Sequence, residues 1–284
     1  MRIKTNALKS VRDFFDDELK SVYSSEEIRY YFYLCCECFL GLSKVDAVGN
    51  LDHRMTESVM LKFSQAVKNL KKHTPIQYIL GTCDFLDVSL DVSPDVLIPR
   101  PETEELVQKI INENTDFPKT ILDICTGSGC IALALKKQLP NATVCGFDIS
   151  NSAITIAKKN AEKNQLNVEF FVADIFTYSN EKTFDIIVSN PPYVRHSEKS
   201  QMAENVLNYE PHNALFVDDN DPLIFYSAIA TFAKKYLNPN GKLYLEINEN
   251  LGNETVELLE NNGFLDIEIK KDFRNKDRFI TAFI

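Results

Sequence analysis

The stretch Thr120-Ile121-Leu122-Asp123-Ile124-Cys125-Thr126-Gly127-Ser128-Gly129 is an apolar run that breaks into a glycine turn, and a helical pattern over residues 131–139 follows it. A buried strand entering a helix through glycines is the opening unit of a parallel α/β sheet. The alternation continues outward. Strands are predicted at residues 143–148, 168–173, 184–188 and 242–247, and helices at 151–164, 222–236 and 254–261, with a further helix beginning near Glu104 ahead of the first strand. Residues 266–270 and 278–284 can close the sheet as an antiparallel hairpin. The fold class is therefore α/β, a doubly wound, mainly parallel seven-stranded sheet with its site at the C-terminal ends of the strands.

Upstream the period changes. Ser24-Ser25-Glu26-Glu27 is a capping-box pattern ahead of Ile28, Tyr31, Phe32 and Cys35 at helical spacing. Residues 56–72 put Val59, Met60, Phe63, Val67 and Leu70 on one face of a second helix. Residues 77–98 alternate, are punctuated by Gly81 and Pro94, and read as a short hairpin. The expected organisation is a small helical domain at 1–75, a hairpin linker at 76–100 and a large α/β domain at 101–284.

With 284 residues, 44% hydrophobic and 25% charged, the chain can bury a sizeable core and is not disordered. Charges at Arg2, Lys4, Asp13, Asp16 and Asp17 leave no apolar stretch for a signal peptide. The apolar run at 30–42 contains Glu37 and is shorter than the ~20 residues a membrane span needs. A soluble, cytoplasmic protein without membrane association is expected. Seven cysteines, an odd number, fit reduced thiols rather than a disulfide framework. Cys35 and Cys38 have C-x-x-C spacing, but with no second pair they point to core packing, and no metal site is expected. The net charge of -10 is uneven: residues 1–80 carry +2 and the remainder -12. Clustered cations for gripping nucleic acid phosphates are missing, so no stable nucleic-acid binding is expected.

Chemistry concentrates at Asn190-Pro191-Pro192-Tyr193, directly after the apolar strand at 184–188. An Asn side-chain carbonyl beside a proline carbonyl places two acceptors together, which suits a planar NH2 group, with an aromatic ring available to cover its face. On the other side of the cleft, the glycines of the 125–129 turn let the backbone approach a ligand, and the helix start offers free N–H groups. Asp148 ends the next strand, where a carboxylate can bind ribose hydroxyls. A phosphate-binding loop would need G-K-[ST], which is missing, and a dinucleotide site would need G-x-G-x-x-G, of which only a shortened form ending in Ala132 is present. S-adenosyl-L-methionine carries no phosphate and tolerates this shorter loop. Asp174, with Ile175 beside it, follows the third strand on the adenine side.

At these residues the chain resembles the class I methyltransferases and, within them, the release-factor glutamine methyltransferases. The likeness includes Pro75-Ile76-Gln77-Tyr78-Ile79-Leu80-Gly81, Val96-Leu97-Ile98-Pro99-Arg100-Pro101-Glu102-Thr103-Glu104, and Glu210-Pro211-His212 with Ala214-Leu215. The resemblance implies a helical domain that recognises the protein substrate, joined by a hairpin to an S-adenosyl-L-methionine-binding catalytic domain. It implies Cys125, Thr126, Gly127, Ser128, Gly129, Asp148, Asp174, Ile175 and Asn190 as cofactor-binding residues. Catalysis is implied at Asn190, Pro191 and Tyr193, and substrate binding at Asn190, Pro191, Pro192 and Tyr193. The implied substrate is the glutamine of the GGQ motif in class I peptide chain release factors. Three departures stand out: Cys125 where glycine is common, residues 216–221 without the usual glycines, and Asn248 where Glu-Ile-Gly is common.

An amide nitrogen is a poor nucleophile because its lone pair is delocalised. Asn190 Oδ1 and the Pro191 carbonyl would accept its two N–H bonds and aim the lone pair at the methyl group, with Tyr193 packed on the amide plane. Three rivals stand beside this expectation: a nucleic-acid adenine or guanine amino-methyltransferase, a methyltransferase for a ribosomal-protein glutamine, and a non-catalytic S-adenosyl-L-methionine-binding partner protein. The acidic balance opposes the first, the Pro101-Glu102-Thr103-Glu104 stretch the second, and the intact acceptor pair the third.

Overall fold

A computed structural model of the chain describes residues 3–115, 119–179 and 181–284. Its helices are α1 (Leu8–Leu19), α2 (Ser25–Leu40), α3 (Lys44–Gly49), α4 (Glu57–Leu70), α5 (Ile76–Leu80), α6 (Pro101–Glu113), α7 (Cys130–Gln138), α8 (Asn151–Asn164), α9 (Glu204–Tyr209), α10 (Ile224–Tyr236) and α11 (Gly252–Asn261). Its strands are β1 (Thr82–Phe85), β2 (Val88–Asp91), β3 (Thr120–Ile124), β4 (Thr143–Asp148), β5 (Glu169–Val172), β6 (Phe184–Ser189), β7 (Val194–Arg195), β8 (Phe216–Val217), β9 (Leu237–Glu246), β10 (Leu265–Lys271) and β11 (Asp277–Phe283). They divide into two units: Met1–Gly81 with Glu204–Tyr209, and Thr82–Ala203 with Glu210–Ile284.

The first unit is helical. Ser24 and Glu27 form the reciprocal capping box that starts α2, and Gly41, at φ +66°, ends it in the left-handed conformation that L-residues resist. Thr56 caps α4 through the Val59 amide. The apolar faces meet in a core where Phe15 stands edge-on to Phe32 at 5.5 Å and to Phe63 at 6.0 Å. Cys35 and Cys36 are buried there, while Cys38 faces out. Among the described residues no helix is long and apolar enough to cross a membrane.

The second unit carries a seven-stranded sheet in the order β10-β11-β9-β6-β3-β4-β5. The β9-β6-β3-β4-β5 part is parallel, and β11 and β10 add as an antiparallel edge. The chain leaves β3 for β4 on one side and returns to β6 on the other, so a switch point lies at the C-terminal end of β3. Leu122, Ile187, Leu243 and Leu245 are fully buried in the central core, where α10 supplies Tyr226, Ile229 and Ala233.

Three elements differ from the sequence expectations. The hairpin read over 77–98 is shorter: Ile76–Leu80 is helical, and only β1 and β2 pair. Pro75 sets the helix start and Gly81, at φ +74°, stops it. α6 begins at Pro101 rather than near Glu104, because proline costs nothing at the first helical position. β9 begins at Leu237, five residues early, since Leu237 already pairs with Phe184 before an irregularity at Asn240 (φ +63°) resets the register to Ile186–Lys242.

Candidate active site

Parallel pairing aligns Ile124 with Phe147 and with Ser189, so the segments that follow β3, β4 and β6 emerge side by side. Between them lies a cavity lined by the 125–128 turn, Asp148, Asp174, Ile175, Asn190 and Pro192. The turn is held by the sheet beneath it. Thr126 donates its amide to the Phe147 carbonyl at 3.0 Å and its hydroxyl to Asp123 Oδ2 at 2.5 Å. Cys125 takes a left-handed φ of +60°, a conformation that favours glycine over a residue with a Cβ. Gly129 is at φ +82°, and a Cβ there would sit 2.9 Å from the Phe170 ring. It therefore shapes the turn from below the cavity and does not line it.

Asp148 accepts the Gly127 amide at 3.0 Å and the Ser150 amide at 2.9 Å. Burial pushes its carboxyl up, and these hydrogen bonds pull it back toward ionisation. Asp174 both borders the cavity and caps a turn, taking the Phe176 amide at 3.0 Å. Ile149 and Phe176, both exposed, add apolar surface to the lining. Its charge is lopsided: Asp95, Asp148 and Asp174 are carboxylates, whereas Arg100 is paired to Glu210 at 2.6 Å. Such a lining suits a nucleoside bearing a cationic sulfonium and opposes a polyphosphate. The described residues thus fit S-adenosyl-L-methionine on ribose, base and charge alike.

The Asn190 end of the cavity contains partners that sequence reasoning missed. Asn190 Nδ2 donates to Thr103 Oγ1 at 3.2 Å, and that hydroxyl donates to Glu246 Oε2 at 2.6 Å. Glu246 is 1% exposed. Burial pushes its carboxyl up, against the hydrogen bonds from Thr103 and Tyr193 and the charge of Arg278. A glutamate ending the apolar run Leu243-Tyr244-Leu245 was the available signal, because a carboxylate in a buried strand needs donors.

Tyr193, expected from the sequence to cover a substrate amide, has partners on the core side. Its hydroxyl donates to Glu246 Oε1 at 3.0 Å, its ring packs against the central core, and it is not part of the cavity lining. The side chain is drawn inward because Glu246 offers a buried acceptor. Pro191 and Pro192 are buried, and of the two Pro192 borders the cavity. Asn248, one of the departures, donates to the Tyr193 carbonyl at 3.0 Å and to Glu198 Oε2 at 2.8 Å, so it ties down the segment beyond the motif. In the 216–221 departure, Phe216 pairs with Val194 in the short β7–β8 ladder, and His212 meets its ring edge-on at 5.2 Å.

A family model described as the methyltransferase small domain matches residues 101–216, and one described as the PrmC N-terminal domain matches residues 12–81. The chain is 46% identical over 278 residues to the release factor glutamine methyltransferase of Flavobacterium psychrophilum, covering 96% of this chain and 98% of that protein. It is 42% identical over 277 residues to the protein of the same name from Bacteroides thetaiotaomicron, covering 97% and 99%. Among solved structures, a methyltransferase from Pyrococcus furiosus superposes with a TM-score of 0.53 at 22% identity, over 69% of this chain and 88% of that one, which shows a shared fold.

Proposed function

The chain belongs to the release factor glutamine methyltransferase family, and we propose that it methylates the side-chain amide nitrogen of the GGQ glutamine in class I peptide chain release factors. S-adenosyl-L-methionine, when bound, supplies an electrophilic methyl group on a sulfonium. Asp148 would hold its ribose hydroxyls, the backbone of the 125–128 turn would hold its polar end, and Ile149, Ile175 and Phe176 would pack on its base. The carboxylates of the lining favour the sulfonium charge.

The observation that carries this function is the hydrogen-bonded state of Asn190. With Nδ2 engaged by Thr103, Oδ1 is left as an acceptor at the cavity wall. That acceptor and the Pro191 carbonyl take the two N–H bonds of the glutamine amide and turn its lone pair toward the methyl group. Positive charge grows on nitrogen during transfer, so both acceptors bind the transition state more tightly than the ground state. Holding the nitrogen and the methyl in line contributes up to ~7–11 kcal/mol of barrier reduction. No base is needed beforehand, because the bonding pair of the sulfonium–methyl bond would stay with the departing neutral thioether as the nitrogen–carbon bond forms, and the nitrogen's proton, made acidic by methylation, passes to water. Tyr193 acts from beneath by fixing Glu246 and the backbone after the prolines.

Asn190→Ala should lower single-turnover transfer by about 10²–10³-fold, the scale of one lost preorganised group, while donor binding stays near wild type. Transfer near the wild-type rate would refute the acceptor role. The cytoplasm, where release factors work, is the proposed location, and the acidic net charge of -10 supports a protein substrate over nucleic acid.

A further inference from the structure

Which atom of Asn190 faces the substrate is decided outside its own motif. A carboxylate accepts at both oxygens, and the two hydroxyls that donate to Glu246, with the charge of Arg278, favour that form against its burial. Glu246 spends one oxygen on the Tyr193 hydroxyl at 3.0 Å and the other on the Thr103 hydroxyl at 2.6 Å. Thr103 has a single hydroxyl proton and commits it to Glu246, so toward Asn190 it can only accept. The 3.2 Å contact must therefore run from Asn190 Nδ2 to Thr103 Oγ1. The relay has a direction, and it originates at the two acceptor oxygens of Glu246 at a buried strand end.

We propose that Thr103 and Glu246 are positioning residues that hold the Asn190 amide in its accepting orientation and thereby make the site select glutamine over glutamate. The inference rests on the glutamine-amide function proposed above. An Asn190 turned by 180° would offer an NH2 group to the cavity. It would repel the N–H bonds of a glutamine and attract a glutamate oxygen. Thr103 and Asn190 both border the cavity, and Thr103 is 2% exposed, so solvent offers little substitute for the missing partner.

The test uses the intact enzyme with a purified release factor and the same factor carrying glutamate at the target position. Thr103→Val keeps the side-chain shape and removes the relay. Glu246→Gln can present an amide NH2 to Thr103, turn its hydroxyl toward Asn190 Oδ1 and reverse the relay. Both variants should lose about tenfold or more of the glutamine-over-glutamate preference in factor binding, the value of one misplaced hydrogen bond, with single-turnover transfer falling in step and donor binding unchanged. Thr103→Ser retains the hydroxyl and should keep the wild-type preference. A merely structural role would alter melting temperature without altering that preference. If Thr103→Val discriminates as wild type does, or Thr103→Ser fails to, the inference is overturned; where Glu246→Gln does not fold, this pair decides alone. Failure of the wild-type enzyme to methylate the glutamine form would instead sink the functional proposal.

Discussion

Asp123, inside β3, is fully buried, with Oδ2 bonded to Thr126 and the Ala132 amide and Oδ1 without a hydrogen-bond partner among the described residues. Burial pushes its carboxyl up to about 7, and the charge of Asp148 adds to the rise. The folded chain then holds this proton more tightly than the unfolded chain does. Stability from this residue is present at low pH, falls as pH climbs from the ordinary carboxylate range, and is lost above about 7. Asp123→Asn should accordingly melt further above, or less far below, wild type at about pH 8 than at about pH 4.5. Thermal scans at the two pH values check this, and a constant offset would remove Asp123 as the source. At the same scale, Asn190 was legible because it follows an apolar strand with two prolines. Thr103 was legible only in part, since a threonine among Pro101, Glu102 and Glu104 reads as helix-start composition as readily as a contact with the site.

The β1–β2 hairpin is held to α8 by two asparagines that no spacing rule exposes. Asn160 takes the Asp91 amide at 2.7 Å and donates to the Asp91 carbonyl at 3.1 Å and the Ser128 carbonyl at 2.9 Å. Asn164 does the same for Ser89, taking its amide at 3.2 Å and donating to its carbonyl at 2.8 Å. One helix face thus fixes both the hairpin and the cofactor-side turn. Asn160→Ala, at a fully buried side chain, removes the partner of the buried Ser128 carbonyl and of the part-buried Asp91 groups and should cost about 1–3 kcal/mol, read as a lower denaturant midpoint. Gly129→Ala should cost about 1–3 kcal/mol, because φ +82° is strained for alanine and its Cβ would crowd Phe170. An unchanged midpoint in either variant would show that the element yields without loss.

The whole chain carries -10, which disfavours a phosphate backbone at long range. The intact enzyme should show no retention on duplex DNA even at low ionic strength, while a release factor is methylated under the same conditions. Retention that weakens steeply with salt would revive a nucleic-acid substrate. Within the first unit, Glu204–Tyr209 joins helices more than a hundred residues upstream, and the Tyr209 hydroxyl donates to the Lys72 carbonyl at 2.6 Å. No local pattern announces such a return, because its partners are set by where the chain comes back rather than by its own period.

Local pattern was enough for the sheet and for the glycine turn after β3, since strand and helix periods and glycine turns are consequences of backbone geometry and burial. It also pointed to Asn190, which borders the cavity. Folding, not local pattern, put the Tyr193 hydroxyl on Glu246 and Asn190 Nδ2 on the Thr103 hydroxyl that Glu246 holds. Both depend on Glu246, which stands 53 residues from Tyr193 and 143 from Thr103. A hydrogen-bond direction belongs to the whole relay, and only folding brings its members within reach of one buried glutamate.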